Sequence, residues 1–282
     1  MHHGALTSGL RHELGGYREH QPAAALARFA EALWTHHTPA ALSPGSVGMH
    51  RVLPDPALNL AFRCRRGPDG RAVEPRLVVI GPKTRPFLFR FRPGHEIAAV
   101  KVKLEWSSRL HDLRPADHLD REDELSAALP GLAEELLAPL AETRTADEAA
   151  AQLARALFER AGRADADAAG ATGQALDLVR QATGRLRVET LARRTGVSVR
   201  QLRRAVRQEA AISLKAYARI TRLNHAMATA DGTARPAWAR IAAESGFCDQ
   251  SHLVRECRAL AGLAPGWIAR ERRAQADLSN RA

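Results

Sequence analysis

A chain of 282 residues that is 45% hydrophobic is long enough for two domains, each burying a core, and this argues against a single minimal module. No run approaches the roughly 18 apolar residues of a membrane span, and Met1 to Gly16 lacks an apolar stretch followed by a small-residue cleavage site, so the expected location is the cytoplasm, with no membrane partner. Cys64, Cys248 and Cys257 are odd in number and have no metal-ligand spacing, which fits a reducing compartment and small buried hydrophobes.

The formal charge of +11 is not spread evenly. Residues 1 to 180 balance 23 Lys/Arg with 23 Asp/Glu, whereas residues 181 to 282 carry 19 against 8. A positive field concentrated in this way favours a polyanion, either nucleic acid or an anionic surface.

In chain order, Met1 to Gly16 reads as a loose tail rich in His and Gly. Pro22 to Trp34 then sets Leu26, Phe29, Ala30 and Leu33 at helical spacing and predicts an amphipathic helix. Three alternations of period two predict strands: Leu58, Leu60 and Phe62; Phe87, Phe89 and Phe91; Val100, Val102, Leu104 and Trp106, the last set against Lys101, Lys103 and Glu105. Turn residues part them at Gly67-Pro68-Asp69-Gly70, Gly81-Pro82 and Pro93-Gly94. An antiparallel β domain is therefore expected over 17–108. A helical connector should follow over 109–180, with Thr145 and Glu148 as a capping box and Gly162 as the helix end. Arg163 to Gly173 reads as a linker. The basic remainder, 181–282, is predicted to be all helical, which makes the fold class α+β.

The chemistry sits in that basic part. A short helix from Val188 carries Leu191 and Ala192 and ends at Gly196, and Ser198 can cap the next helix with Gln201 reaching back. On that second helix Leu202, Ala205 and Val206 share one face. Arg200, Arg203, Arg204 and Arg207 share another, as a recognition helix in a major groove requires. About fifty residues later Ile241, Ala242, Gly246 and Phe247 repeat the arrangement. The helix that follows has Leu253, Cys257, Leu260 and Ala261 inward, with Ser251, Arg255 and Arg258 outward and Gln250 and His252 at its start. Gln and Arg both make bidentate contacts to purine edges. Ser213 to Ala228 reads as a helix of roughly 24 Å between the units, enough to hold two readers near successive major grooves.

The run Gly246-Phe247-Cys248-Asp249-Gln250-Ser251-His252-Leu253, with Arg255, Arg258 and Ala264-Pro265, resembles the signature of AraC-type transcription regulators. The first unit is similar through Leu191-Ala192, Gly196, Ser198, Leu202, Glu209, Ser213, Tyr217 and Arg222-Leu223. The resemblance implies that Arg200, Arg203 and Arg204 read bases or phosphates in the first unit, and that Gln250, Ser251, His252 and Arg255 do so in the second. Val206 and Cys257 stand where many members have Phe, Ala211 where Gly is common, and Leu214 where Pro is common. The first two shrink core side chains.

The front half resembles a group of such regulators through Leu26 to Trp34, Val52-Leu53-Pro54-Asp55 and Gly81-Pro82-Lys83-Thr84-Arg85. Pro56-Ala57-Leu58-Asn59 departs from that group's Gly-Cys-Val-Asp stretch, so no role is carried over there. In the wider family such front domains are cupin-like barrels that sense ligands or pair two copies. The partners implied are double-stranded DNA, a second copy in a homodimer, and, left open, a small-molecule effector and RNA polymerase.

Two other classes compete. A metal-dependent cupin-like enzyme would draw on His36, His37, His50, His95, Glu96, His111 and His118, but the His-x-His pair followed closely by Glu is missing. Nucleophile elbows, phosphate loops and Cys-x-x-Cys pairs are missing as well, so the expectation is no catalytic residue, no metal and no cofactor. A non-specific nucleic-acid or membrane-surface protein would also use the basic half. Its apolar residues are too small for a membrane helix, however, and its aromatics too few for RNA stacking.

Overall fold

The computed structural model describes residues 7–14, 16–38, 48–111, 113–161, 170–231 and 233–280. Among the described residues nine strands precede or border the helices: β1 (Thr7–Leu14), β2 (Tyr17–Pro22), β3 (Ala30–His37), β4 (Gly48–Val52), β5 (Leu58–Arg66), β6 (Ala72–Ile80), β7 (Phe87–Phe91), β8 (His95–Val102) and β9 (Glu122–Glu124). Seven form an antiparallel sheet in the order β1-β2-β3-β8-β5-β6-β9, and β4 pairs with β7 in a second, two-stranded sheet.

The alternation along β5, β6 and β8 divides the large sheet into two faces. Leu60, Phe62, Leu77, Val79, Ala98, Val100 and Val102 point to one side. There they meet Leu132, Leu136 and Leu140 of α3 (Pro130–Ala141) and Leu153 and Leu157 of α4 (Ala146–Ala161). Ala61, Val78, Ile80, Ile97 and Ala99 point to the other, where Phe89 of β7 and Trp34 lie over them. Both faces are covered, so β5 is buried on both sides over Leu58–Phe62 instead of alternating between core and solvent.

Several expectations change here. Thr7–Leu14, read as part of a tail, is the edge strand paired with β2, a register that no apolar pattern announces; residues 1–6 and 15 lie outside the described residues. Pro22 to Trp34 is not one helix. Backbone bonds from Leu26 and Ala27 to Ala23 and from Ala30 to Leu26 close helical turns, and the chain then extends into β3. All four of its spaced apolar residues are buried, but pairing of β3 with β8 overrides the helical periodicity. The alternation from Val100 breaks after Val102, because Leu104 and Trp106 belong to α1 (Leu104–His111) and are buried from a helix.

A 3-10 turn at Pro115–His118 and α2 (Leu125–Ala128) lead into α3. Thr145 Oγ1 accepts from the Glu148 N–H at 3.1 Å, as a capping box requires, while the Glu148 carboxylate accepts from Arg144 N–H, one residue earlier than expected. Gly162 and residues 163–169 of the expected linker lie outside the described residues. Gly170–Gly173 is no linker: it is the first turn of α5 (Gly170–Gln181), with Thr172 and Gly173 buried.

The remainder is helical: α6 (Val188–Arg194), α7 (Val199–Ala210), α8 (Leu214–Asp231), α9 (Trp238–Glu244), α10 (Gln250–Ala261) and α11 (Pro265–Asn280). One apolar cluster runs without a break from the β sheet through α3, α4 and α5 into Leu191, Leu202, Val206 and Tyr217. A second gathers Leu223, Met227, Ile241, Phe247, Leu253, Cys257 and Ile268, with Leu53 as its front-half member.

Candidate nucleic-acid interface

Two turns of the same construction build the interface. After Leu191 and Ala192 turn inward, Thr195 N–H donates to Leu191 O at 3.0 Å and Val197 N–H to Ala192 O at 3.1 Å. Ser245 to Ile241 and Phe247 to Ala242, both at 2.9 Å, repeat these bonds fifty positions on. The corner is Gly196 (φ +68°) in one and Gly246 (φ +77°) in the other, a left-handed backbone that side chains resist. At Gly246 a Cβ would also lie 2.6 Å from Arg185 Cγ, so the Arg185 side chain would have to move aside.

The units then differ by one residue. Ser198 follows Val197 directly and caps α7, accepting from Gln201 N–H while its own N–H donates to Gln201 Oε1 at 3.0 Å. In the second unit Cys248 is interposed before Asp249, which caps α10 by accepting from His252 N–H at 2.6 Å. The extra N–H, that of Cys248, donates to His252 Nδ1 at 3.3 Å, and the His252 ring meets Phe247 edge-on at 5.4 Å. His252 is thus half-buried and engaged in the turn. Cys248, expected to be buried, is exposed; Cys64 and Cys257 are buried, which pushes their thiols up to about 11 and about 12.

Leu202 and Val206 of α7, and Leu253, Cys257, Leu260 and Ala261 of α10, form the inward stripes the spacing predicts. Arg200, Arg203, Arg204 and Arg207 are exposed on α7, and Gln250, Ser251, Arg255 and Arg258 on α10. None of these six Arg meets a carboxylate among the described residues, whereas Arg18, Arg63, Arg66 and Arg76 of the front half each do.

Spacing did not reveal what holds the units in place. Arg219 of α8 makes a bidentate pair with Glu256 of α10 at 2.7 and 3.0 Å. Arg222 donates to the carbonyls of Gly184 and Gly246 and lies over the Phe247 ring at 5.6 Å. Both are on α8, which packs against α5, α9, α10 and α11.

A cavity of about 850 Å³ lies between the front half and α8, bounded by the second face of the large sheet, β4, β7, α5 and α11. At its helical side Arg180 meets Glu105 at 2.5 Å, Asp177 at 2.5 Å and Glu31 at 3.3 Å, and donates to the Tyr217 hydroxyl at 2.7 Å. Lys101 pairs with Asp55 at 2.9 Å and Glu19 at 3.6 Å. Burial alone would lower the Lys101 ammonium, but these carboxylates outweigh it and hold it well above the usual lysine range. Burial raises the Glu31 carboxyl, a shift Arg180 opposes. The sequence placed Lys101 and Lys103 on one face of a strand. That the face turns into a cavity, with Lys103 reaching Asp177 of α5 at 3.1 Å, depends on tertiary packing.

The histidines considered as ligands do not converge. His37 Nδ1 lies 3.1 Å from Glu96, which also takes Arg66, His118 Nδ1 lies 2.7 Å from Asp123, and His36 lines the cavity. The side chains of His50 and His111 lie outside the described residues. Among the described residues no group of three or more His, Cys, Asp or Glu could hold a metal ion. No helix there is long and apolar enough to cross a membrane.

Paired turns with capped second helices and outward guanidinium groups define a domain of two helix-turn-helix units. Residues 191–271 match a family model described as a helix-turn-helix domain. Residues 18–122 match a second model, described as a domain of unknown function (DUF6597). Among solved structures, the chain is similar to a probable AraC family transcriptional regulator from Rhodopseudomonas palustris, with 27% identity, 36% of this chain and 97% of that one covered, and a TM-score of 0.33. An AraC-type protein from Chromobacterium violaceum also shows 27% identity, over 38% and 91% of the two chains, with a TM-score of 0.33. ToxT from Vibrio cholerae aligns over 80% of this chain and 97% of its own, at 10% identity and a TM-score of 0.44. No curated protein matches the chain.

Proposed function

We propose that this protein is a DNA-binding transcription regulator of the AraC type that reads operator bases with Arg200, Arg203, Arg204, Gln250, Ser251 and Arg255, takes phosphates with Arg207 and Arg258, and adjusts its reading when a small molecule enters the cavity beside α8. His252 is assigned to holding the second turn, since its Nδ1 and ring are already engaged. One observation carries the reading: the six exposed Arg of the two recognition helices line up on outward faces with no carboxylate partner among the described residues, whereas Arg63, Arg66 and Arg76 of the front half and Arg219 of α8 are each paired. Exposed cations left without partners suit a polyanion. A homodimer joined through the front half would set two such pairs on neighbouring half-sites, and the 181–282 unit alone would then bind more weakly by loss of avidity.

Competition binding against single-base operator variants tests the assignment. Arg204→Ala and Arg255→Ala should each weaken the true site by about 1 to 3 kcal/mol and relax preference at one base. Arg207→Ala should weaken all sequences alike and lower the log-log salt slope by about 0.9. Unchanged affinity and preference in Arg204→Ala and Arg255→Ala would remove these helices as readers. Adding candidate metabolites to the same assay tests the response.

A further inference from the structure

Most charged groups on the cavity wall are already matched: Lys101 to Asp55 and Glu19, Lys103 to Asp177, Arg180 to three carboxylates, Arg51 to Glu271, and Arg272 to Asp231. Lys83 is the exception. It is only 8% exposed and lines the cavity, and no carboxylate among the described residues lies within ion-pair distance of its ammonium. Its backbone is fixed by two bonds with Asp55, Lys83 N–H to Asp55 O at 2.7 Å and Asp55 N–H to Lys83 O at 3.0 Å, so the side chain leaves from a rigid bridge.

The surroundings of Lys83 are apolar and aromatic. Its ammonium lies 5.4 Å from the Phe87 ring centroid, and Ile80, Ile97, Phe89 and Trp34 continue the same wall. Arg63 lies over Phe89 at 5.0 Å; its terminal nitrogens are taken by Glu122, while its Nε is buried without an acceptor. Burial lowers the Lys83 ammonium, and Arg63 adds to this, against the opposing pull of Glu122, Asp120 and Asp123. An unpaired buried cation is costly until an anion reaches it, and a charged hydrogen bond in such a place is among the stronger ones.

We propose that the cavity takes an amphipathic monocarboxylate, its carboxylate held by Lys83 and its apolar body lying along Phe87, Phe89, Ile80, Ile97 and Trp34. The proposal rests on the effector reading above and names the chemistry of that effector. The head group carries one charge and not two, because carboxylates already border this wall: Asp120 accepts from the N–H of Thr84, the residue after Lys83, at 2.7 Å, and Glu122 takes the Arg63 guanidinium at 2.8 Å, and both would repel a dianion.

The test uses the full-length protein without DNA and four probes of one shape, followed by calorimetry and thermal shift: 4-phenylbutyrate, 4-phenylbutanol, 4-phenylbutylamine and 4-phenylbutyl phosphate. The carboxylate should bind about tenfold or more tighter than the alcohol, and the amine and phosphate more weakly than the carboxylate. Lys83→Met should reduce the carboxylate to the affinity of the alcohol, and Lys83→Arg should keep the preference. Equal binding of carboxylate and alcohol by the wild type overturns the proposal whether or not Lys83→Met folds, as does a preference for the phosphate or one that survives in a folded Lys83→Met. If no probe binds, both this proposal and the cavity's effector role fall, whereas operator binding by the same sample shows that the DNA-reading assignment stands.

Discussion

The two helix-turn-helix units share their backbone bonds and the length of their second helix, but differ in what supports them. The first unit's Leu191, Leu202 and Val206 belong to the cluster that also holds the β sheet and the connector helices. The second has a core of its own, touched from the front half by Leu53 and braced to α8 by Arg219–Glu256. Their C-terminal ends differ too: α7 closes on Ala211 in a left-handed conformation (φ +61°), while α10 closes on Gly262 (φ +78°). One motif is thus used twice, once on the apolar cluster it shares with the β sheet and once on a cluster of its own.

The strongest way to break this comparison is to empty each core in turn. Leu202→Ala and Leu253→Ala each truncate a fully buried side chain and should each cost about 2 to 5 kcal/mol. By calorimetry, Leu202→Ala should lower the transition that melts the β sheet, whereas Leu253→Ala should lower a transition confined to the second unit. An equal effect of both on a single transition would mean that the two cores melt as one.

A smaller effect should come from Glu256. Burial raises its carboxyl, but the hydrogen bonds and charge of Arg219 overcome this and hold it below the usual glutamate range. A depressed folded value means that the pair's contribution is fully present above the unfolded value, about 4.3, and is lost as pH falls through the folded one. Glu256→Gln should remove that pH-dependent part and cost about 1 kcal/mol at neutral pH, since Arg219 is partly solvated. If acid melting curves of wild type and Glu256→Gln stay parallel down to about pH 3, the brace contributes nothing.

The smallest effect concerns the helix ends. Ala211→Gly should stabilise by about 0.5 to 1 kcal/mol by relieving a left-handed alanine, and Gly262→Ala should destabilise by about 1 kcal/mol. Urea denaturation of the two variants should give opposite signs; a loss of stability in Ala211→Gly would show that the first unit's end is not strained.

The sequence by itself determined the helix-turn-helix units. The Ser198 box with Gln201, the inward stripes at Leu202 and Val206 and at Leu253 and Cys257, and the outward Arg all follow from contacts three or four residues apart, which the chain carries locally. It determined the strands at Leu58 and Phe87 for the same reason, since alternation is also local. Only the tertiary structure decided that Thr7–Leu14 is a strand and that Leu33 and Trp34 leave a helical pattern to pair with β8. Likewise, alternation set Lys101 opposite Val100 and Val102 and assigned Lys83 no surroundings, and only packing turned both into a cavity, the first between two carboxylates and Lys83 with none within ion-pair distance among the described residues. Strand pairing and the burial of charge are settled by residues tens of positions away, and a buried charge is tolerated only where distant groups happen to meet it, so no local pattern can announce either.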